Sequence, residues 1–397
     1  MKKYIEKIIE IAIKVSGYAG SLAILLIVGY LFKESAGIVT QKQIERGYTL
    51  ALNKNNPVDD IPSFEIKEMF DRKITNWQEV GGADAEIQLF YLNDLLDYFS
   101  EDELEDDEKI ANALNTIIAE NENIIAYVPT DFISEDFHLY GKEINSPITL
   151  LKLLKTMEWL PTAKPSPQFG LIPLLLGSLW VSVGAILFAF PLGLMVAIYI
   201  SELSSARFRK LCKPAIELLA AIPSVVYGFF GLVVIVPFIR TTFNLPVGET
   251  ALAGSIVLAI MVLPTIISIA EDSLQSVPNM MREASLSLGA TQFQTIFRVL
   301  IPYAKSGIIT AGVLGIGRAI GETMAVLMVT GNASVIPRTF LEPVRTIPAT
   351  IAAELGETAM GSAHFNVLFL LGAILFLITF LFNLLVHRVS ENKNLPK

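Results

Sequence analysis

The chain has 397 residues, 52% of them hydrophobic, with a mean hydropathy of +0.54. That composition excludes an ordinary soluble domain and indicates an integral membrane protein. Only 17% of residues are charged, and unevenly: residues 33–171 hold 12 Lys and Arg against 26 Asp and Glu, a net −14, while the remainder is +5. A single cysteine, Cys212, excludes an internal disulfide and a Cys-rich metal site, and three scattered histidines speak against a His-based one.

Residues 1–14 carry Lys2, Lys3, Lys7 and Lys14, and an apolar run follows at 15–32. Ser35-Ala36-Gly37 would suit the cleavage site of a signal peptide. The run is longer than the usual apolar region of such peptides, roughly 7–15 residues, which favours an uncleaved span with the lysines on the cytoplasmic side.

Residues 33–168 are too polar to cross a bilayer and read as one small acidic α+β insert. Ser100-x-x-Glu103 is a capping box, predicted to open a helix through Leu104, Ala111, Leu114 and Ile118. Ile87, Leu89 and Tyr91 alternate as in a half-buried strand, and residues 124–128, ended by Pro129, suit a second. Ser146-Pro147 is expected to start another helix. Residues 163–167, with two prolines, read as the linker into the membrane.

From Lys164 to Glu202 no charged residue intervenes, which predicts a second span at 171–200, interrupted by Pro173 and Pro191. The following loop carries Arg207, Arg209, Lys210 and Lys213 and should be cytoplasmic. Further spans are expected at 218–239, with Gly228-x-x-Gly231, at 251–270, at 304–330 and at 365–386, with a polar hairpin at 271–303 and a loop at 333–362. His387-Arg388 begins a basic tail, leaving 389–397 in the cytoplasm. Six spans put both termini on the cytoplasmic side and the acidic insert outside. Prolines and glycines within the spans suit helices that open onto a cavity.

Within the hairpin, Glu283-Ala284-Ser285, Gly289 and Val299-x-Ile301-Pro302 follow a pattern of Glu-Ala-Ala, three residues, Gly, nine residues, Ile-x-Leu-Pro, with every spacing kept and three conservative replacements. This resembles the cytoplasmic coupling loop of ABC importer permeases. Two short helices hinged at a glycine form a knob, and apolar faces such as Phe293, Ile296 and Phe297 can dock in a partner's groove. Gly289 falls where the hairpin reverses, where a side chain would obstruct docking or a positive φ is required. The alternative is an amphipathic hairpin lying on the lipid surface.

The wider stretch Ile216-Glu-Leu-Leu-Ala-Ala-Ile-Pro223-Ser-Val-Val-Tyr-Gly-Phe-Phe-Gly231, with Gly317-Arg-Ala-Ile-Gly-Glu322-Thr-Met-Ala-Val, looks like the C-type permease subunit of bacterial Pst phosphate uptake systems. The resemblance covers residues 169–388. It implies an all-α polytopic membrane protein of the type I ABC importer permease fold, with five spans and the coupling hairpin in that core and the first span before the insert. It also implies an A-type permease partner, a cytoplasmic ATPase subunit dimer and an external phosphate-binding protein. Glu283, Ala284, Gly289 and Pro302 would couple to the ATPase, and Arg318, Glu322 and Thr323 would face the substrate pathway. The only Gly-Lys pair, Gly141-Lys142, is followed by Glu143, so no Gly-x-x-x-x-Gly-Lys phosphate cradle occurs. ATP and Mg are then expected on the partner ATPase, with no cofactor, metal or nucleic acid for this chain.

Such permeases ordinarily have a short loop where this chain has its insert. Phe70-Asp-Arg-Lys-Ile-Thr-Asn-Trp77-Gln-Glu-Val-Gly-Gly82 resembles a stretch of periplasmic phosphate-binding proteins. The donor-rich loop that follows it in those proteins is replaced here by Leu89-Phe-Tyr-Leu-Asn-Asp94. A half-lobe relic or docking module is expected rather than a working receptor, since a net −14 domain also repels phosphate.

Arg318 and Glu322 are i, i+4, which predicts both side chains on one helix face. Arg318 would lie ~21 Å along a span that starts at Ala304. Each charge alone would cost about 2.5–3.5 kcal/mol at the bilayer centre. Two readings stand: a structural ion pair, or an anion pathway in which Arg318 meets phosphate and Glu322 orients it. The expected function is a permease subunit for ATP-driven phosphate import. The alternatives are import of another oxyanion, proton-coupled secondary transport through Glu322 or His364, and a membrane-anchored sensor.

Overall fold

The computed structural model describes residues 2–42, 44–144 and 148–391, and the chain divides into two compact units, residues 1–171 with 357–370 and residues 172–356 with 371–397. Among the described residues six helices are long and apolar enough to cross a membrane.

The first unit begins with α1 (Lys2–Ala36), which contains the expected span but starts among the lysines. Its insert is built on a mixed four-stranded sheet: β1 (Tyr48–Asn53), β2 (Gln88–Tyr91), β3 (Ile124–Pro129) and β4 (Gly141–Ile144), in the order β2-β3-β1-β4. β1 pairs antiparallel with β3 and β4, and β2 pairs parallel with β3. Alternate side chains of the central strands serve opposite faces. Leu50, Leu52, Ile125 and Tyr127 pack with α2 (Ser63–Phe70) and Trp77, while Ala51, Ala126 and Val128 pack with α3 (Asp107–Glu120). α3 is the crossover that a parallel β2–β3 pair requires.

Several expectations for the insert are corrected. The Ser100–Glu103 capping box closes a separate 3₁₀ turn, Glu101–Leu104, and α3 starts afresh at Asp107, with Asp107 and Glu108 complementing its dipole. The expected strand is β2, but its fully buried residue is Phe90 on the opposite face, while Ile87 and Leu89 are partly buried and Tyr91 is exposed. The Ser146-Pro147 start lies outside the described residues; the nearest helix, α4 (Leu150–Lys155), is capped by Thr149. The expected linker is the loop of a hairpin formed by β5 (Trp159–Leu160) and β6 (Gln168–Phe169), where buried Gln168 donates to the carbonyls of Ser63 (2.7 Å) and Ser166 (2.9 Å).

In the second unit α5 (Leu171–Ile198) runs through both prolines without a break. Pro173 sits in its first turn, where no N–H is missed, and a π turn, Tyr199–Leu203, extends the helix. The expected basic loop is instead a helix, α6 (Ala206–Ala220). The third span therefore starts after Pro223, not at 218, because proline pushes the preceding residue out of helical geometry. It comprises α7 (Ser224–Phe230), a π turn Gly231–Ile235 and α8 (Val236–Thr242). The fourth span, α9 (Ala251–Gln275), is the most buried of the six, packed against Val181, Ala185 and Ala189 of α5 and against the later helices. The Gly228-x-x-Gly231 step lets α7 approach closely: a Cβ on Gly228 would lie 3.0 Å from Ala325 Cα, and one on Gly231 2.5 Å from a Val257 methyl.

The hairpin contains α10 (Asn279–Ser287) and α11 (Gln292–Thr295). Its second arm is not a separate short helix. It continues through a π turn, Ile296–Leu300, into α12 (Ile301–Ile320), so the fifth span starts at Gln292 rather than 304. α13 (Met324–Val329) is a distinct short helix, α14 (Ile347–Glu354) lies in the following loop, and α15 (Ala363–Glu391) carries the sixth span, Ala363–Leu385. Of the expected tail, residues 392–397 lie outside the described residues.

Candidate functional site

The hairpin turn is built from two local signals. Gly289 adopts φ +83°, its N–H bonds Leu286 O (3.0 Å) and the next N–H, of Ala290, reaches back to Ser285 O (3.3 Å), the Schellman arrangement that ends a helix on a left-handed residue. Thr291 and Gln294 then form a capping box that starts the next arm, with Thr291 N to Gln294 Oε1 at 2.9 Å and Gln294 N to Thr291 Oγ1 at 3.3 Å. The hydroxyls of Ser285 and Thr295, 2.9 Å apart, tie the two arms together.

Glu283, Ala284 and Gly289 are exposed on this knob, and Leu288, Phe293 and Phe297 present large apolar surface at 89%, 63% and 60% exposure. Ile296, expected on the docking face, is buried with Leu274, Val277 and Leu300 and holds the knob to the span. Pro302 does not join the others: it lies in the first turn of α12, just past the π turn, where its missing N–H falls at an irregularity in the ladder.

Beneath the knob lies a polar root that sequence reasoning missed. Arg282 forks onto Glu202, with Nε to Oε2 at 3.2 Å and Nη2 to Oε1 at 2.8 Å. The same guanidinium donates to Leu274 O, Val277 O and Asn279 Oδ1, each at 2.9 Å. Gln292 Nε2 bonds Glu202 O at 3.0 Å, and Arg209 of α6 donates to the carbonyls of Ile200 (2.8 Å) and Ser201. Lys213 of α6 reaches Asp272 (3.2 Å) and the buried Glu271 (3.3 Å) of α9. Its hydrogen bond to Asp272 raises the Lys213 ammonium above its ordinary value, against a smaller lowering from burial. The only sequence signal for this root was the amphipathic spacing of Arg209, Cys212, Lys213 and Ile216.

Arg318 and Glu322 do not share one helix face. α12 ends at Ile320, Gly321 closes it, and Glu322 stands in the break before α13. Glycine is a poor helix former, by about 1 kcal/mol relative to alanine, and the break makes the i, i+4 count inapplicable. Arg318 therefore sits in the last turn of α12 rather than in mid-helix. No ion pair joins the two residues among those described; Arg318 Nη1 donates instead to Thr265 Oγ1 of α9 at 2.9 Å, and the side chain is exposed. Glu322 is half-buried and accepts from Ala325 N at 3.4 Å, at the start of α13, while Thr323 Oγ1 donates to Gly321 O at 3.3 Å. The break thus leaves Arg318 and Glu322 with separate partners among the described residues. Thr265, which follows Pro264, carried no signal that linked it to Arg318.

Comparison with known proteins adds to this geometry. Residues 189–393 match the family model described as "Binding-protein-dependent transport system inner membrane component", and residues 33–174 match one described as "PBP superfamily domain". The chain is 42% identical over 246 residues to the probable ABC transporter permease protein YqgH of Bacillus subtilis, covering 62% of this chain and 79% of the relative. It is 39% identical over 247 residues to the phosphate transport system permease protein PstC of Mesorhizobium japonicum, covering 57% and 74%. It is 35% identical over 241 residues to the corresponding protein of Pasteurella multocida, covering 56% and 74%.

Proposed function

Since the chain belongs to the family of binding-protein-dependent transport system inner membrane components, we propose that it is the permease subunit through which an ATP-driven importer carries inorganic phosphate across the bacterial inner membrane. The observation that carries the ATP-driven part is the hairpin: an exposed apolar knob on a Schellman turn, rooted by an ion pair to the end of α5 and by hydrogen bonds to carbonyls where α9 ends. A surface of that kind suits a groove on a soluble partner. The partners in this reading are an A-type permease, a dimer of cytoplasmic ATPase subunits that binds ATP and Mg, and a periplasmic phosphate-binding protein. Hydrolysis belongs to the ATPase, and this chain has no catalytic residues of its own. Both termini and the hairpin face the cytoplasm, and the acidic insert faces the periplasm.

The relatives named for phosphate transport motivate the substrate, and Arg318 suits it, because a guanidinium keeps its charge and offers a planar fork to phosphate oxygens. Glu322 and Thr323 line the same break. Docking of a loaded receptor outside and ATP inside would each bind one state of the permease more tightly than the other and so shift its equilibrium. The insert acts as a docking module. After β2 its Asp94 carboxylate accepts from Tyr91 N (2.7 Å), which puts an acid where a phosphate site needs donors.

The test is uptake of radiolabelled phosphate by vesicles containing this chain with its candidate partners. Uptake should require internal ATP and survive a protonophore. Uptake without ATP that a protonophore abolishes would overturn the reading in favour of proton coupling, and competition by sulfate at equal concentration would show a broader oxyanion importer.

A further inference from the structure

We propose that Glu202 and Arg282 form a latch that makes the hairpin and the ends of the second and fourth spans move as one body, so that motion imposed on the knob becomes motion of the membrane helices. The proposal rests on the ATP-driven reading above and adds to it the residues that transmit the movement.

A guanidinium has five N–H donors, and all five of Arg282 are used. Two go to the Glu202 carboxylate at the end of α5, one each to the carbonyls of Leu274 and Val277 at the end of α9, and one to Asn279 at the start of α10. Leu274 lies in the last turn of α9 and Val277 two residues past its end, so one side chain holds the exit of α9 and binds it to α5. The pair is largely withdrawn from water, with Arg282 21% and Glu202 9% exposed. That sets it apart from surface ion pairs, which are screened and flexible. Ser201 Oγ holds Glu202 Oε1 at 2.7 Å, and Gln292, on the far arm of the hairpin, bonds the backbone of Glu202 at 3.0 Å. Both arms of the knob are therefore anchored at one residue. Arg282 directly precedes Glu283 on the exposed knob, so displacement of the knob acts on the latch within one residue. A lysine could not replace it: an ammonium is a point charge with three donors and no fork.

The assay uses the assembled complex in proteoliposomes and reads phosphate moved per ATP hydrolysed. Arg282→Gln and Glu202→Gln should each lower that ratio by about tenfold, the range of a typical coupling free energy, and Arg282→Lys should lower it too, despite the kept charge. Residues that act as one unit are not additive, so the double substitution should be no worse than either single one. A purely structural role would reduce the yield of assembled complex and leave the ratio intact; that result, or independent multiplying effects, overturns the latch. A second measurement does not depend on the substrate. With Cys212→Ser, spin labels are placed at Leu203→Cys and at Met280→Cys, which is exposed on α10. Their separation should stay constant when ATP binds to the complex and should change with ATP once Glu202→Gln is introduced. A separation that shifts with ATP while Glu202 is intact overturns the latch whatever is transported, whereas a constant separation without phosphate uptake leaves the latch standing and removes the phosphate reading.

Discussion

Substitution of Gly289 separates the backbone of the hairpin from its surface. At φ +83° a residue with a side chain is disfavoured by roughly 1–2 kcal/mol. Apart from its two chain neighbours, no atom of the described residues lies within 4 Å of where its Cβ would be, so the effect there is one of backbone alone. A loss of that size changes an equilibrium by a factor of about 5–30, and apparent affinity falls with the fraction of hairpin in the docking shape. Gly289→Val, β-branched and least suited to positive φ, should weaken association with the ATPase subunit across that range. Gly289→Ala should fall at the lower end, and Gly289→Asn, whose side chain tolerates the left-handed region, should bind nearly as the native chain does. Membrane abundance should not change, because Gly289 is exposed and outside the apolar spans. The assay is titration of the ATPase subunit onto the permease in lipid nanodiscs, with phosphate uptake alongside. Native affinity for Gly289→Val would refute the reasoning. Equal damage from Asn and Val would refute the backbone account and show that the partner needs the space a side chain would fill.

Arg318→Gln should reduce phosphate uptake by more than about tenfold, and Arg318→Lys should be damaged as well, because the fork is lost. Thr265→Val removes the acceptor of Arg318 and should raise the half-saturating phosphate concentration more than it lowers the maximal rate; the reverse split would refute an orienting role. The isolated segment 40–165 of the insert should show no saturable phosphate binding by calorimetry, and micromolar affinity would show it to be a receptor. An impermeant protease added to intact spheroplasts should cleave within residues 40–160 and spare the 272–303 hairpin, whereas cleavage of the hairpin would overturn the topology. Burial, with the like charge of Glu68, raises Glu65 above its ordinary 4.5, so the folded insert holds that proton more tightly than the unfolded chain does. The resulting stability is complete below 4.5 and is lost as pH rises through the raised value. Glu65→Gln should therefore raise the melting temperature of the insert near about pH 7 and not near about pH 4; a gain equal at both would refute the assignment.

The spans were legible because an uncharged run long enough to cross a bilayer is rare outside membranes. Their ends were not. The hairpin's second arm and the fifth span are one helix through Ile296–Leu300, and nothing in a polar stretch announces that a helix continues beneath it. In the insert, β1 carries little local signal, since Tyr-Thr-Leu-Ala-Leu-Asn lacks a clean alternation. Its place is set by pairing with β3 and β4, whose residues lie some 70–95 positions later. The span expected at 218–239 runs through Pro223, yet that proline separates a surface helix from a membrane one. The basic residues of α6 were read as topology signals, while Arg209 and Lys213 also bind the ends of α5 and α9.

The Arg318–Glu322 spacing misled for a reason that reaches the mechanism. An i, i+4 count holds only while the helix is unbroken, and Gly321 ends it within the count. Once Glu322 is at the break, its carboxylate meets the first free N–H groups of α13, and the bond to Ala325 N is what it makes there. The two residues then have separate tasks. Arg318 bonds Thr265 on another span, whereas Glu322 accepts at the restart of the helix, and in the proposed pathway only Arg318 would meet the anion. Glu322→Gln should therefore act through α13, since an amide oxygen can still accept from Ala325 N, and should impair uptake less than Arg318→Gln does. Neutralising both should not restore uptake, because no ion pair is being dismantled. Recovery of uptake in the double substitution would show that the charges compensate one another in the working complex, and the separation of tasks would be wrong.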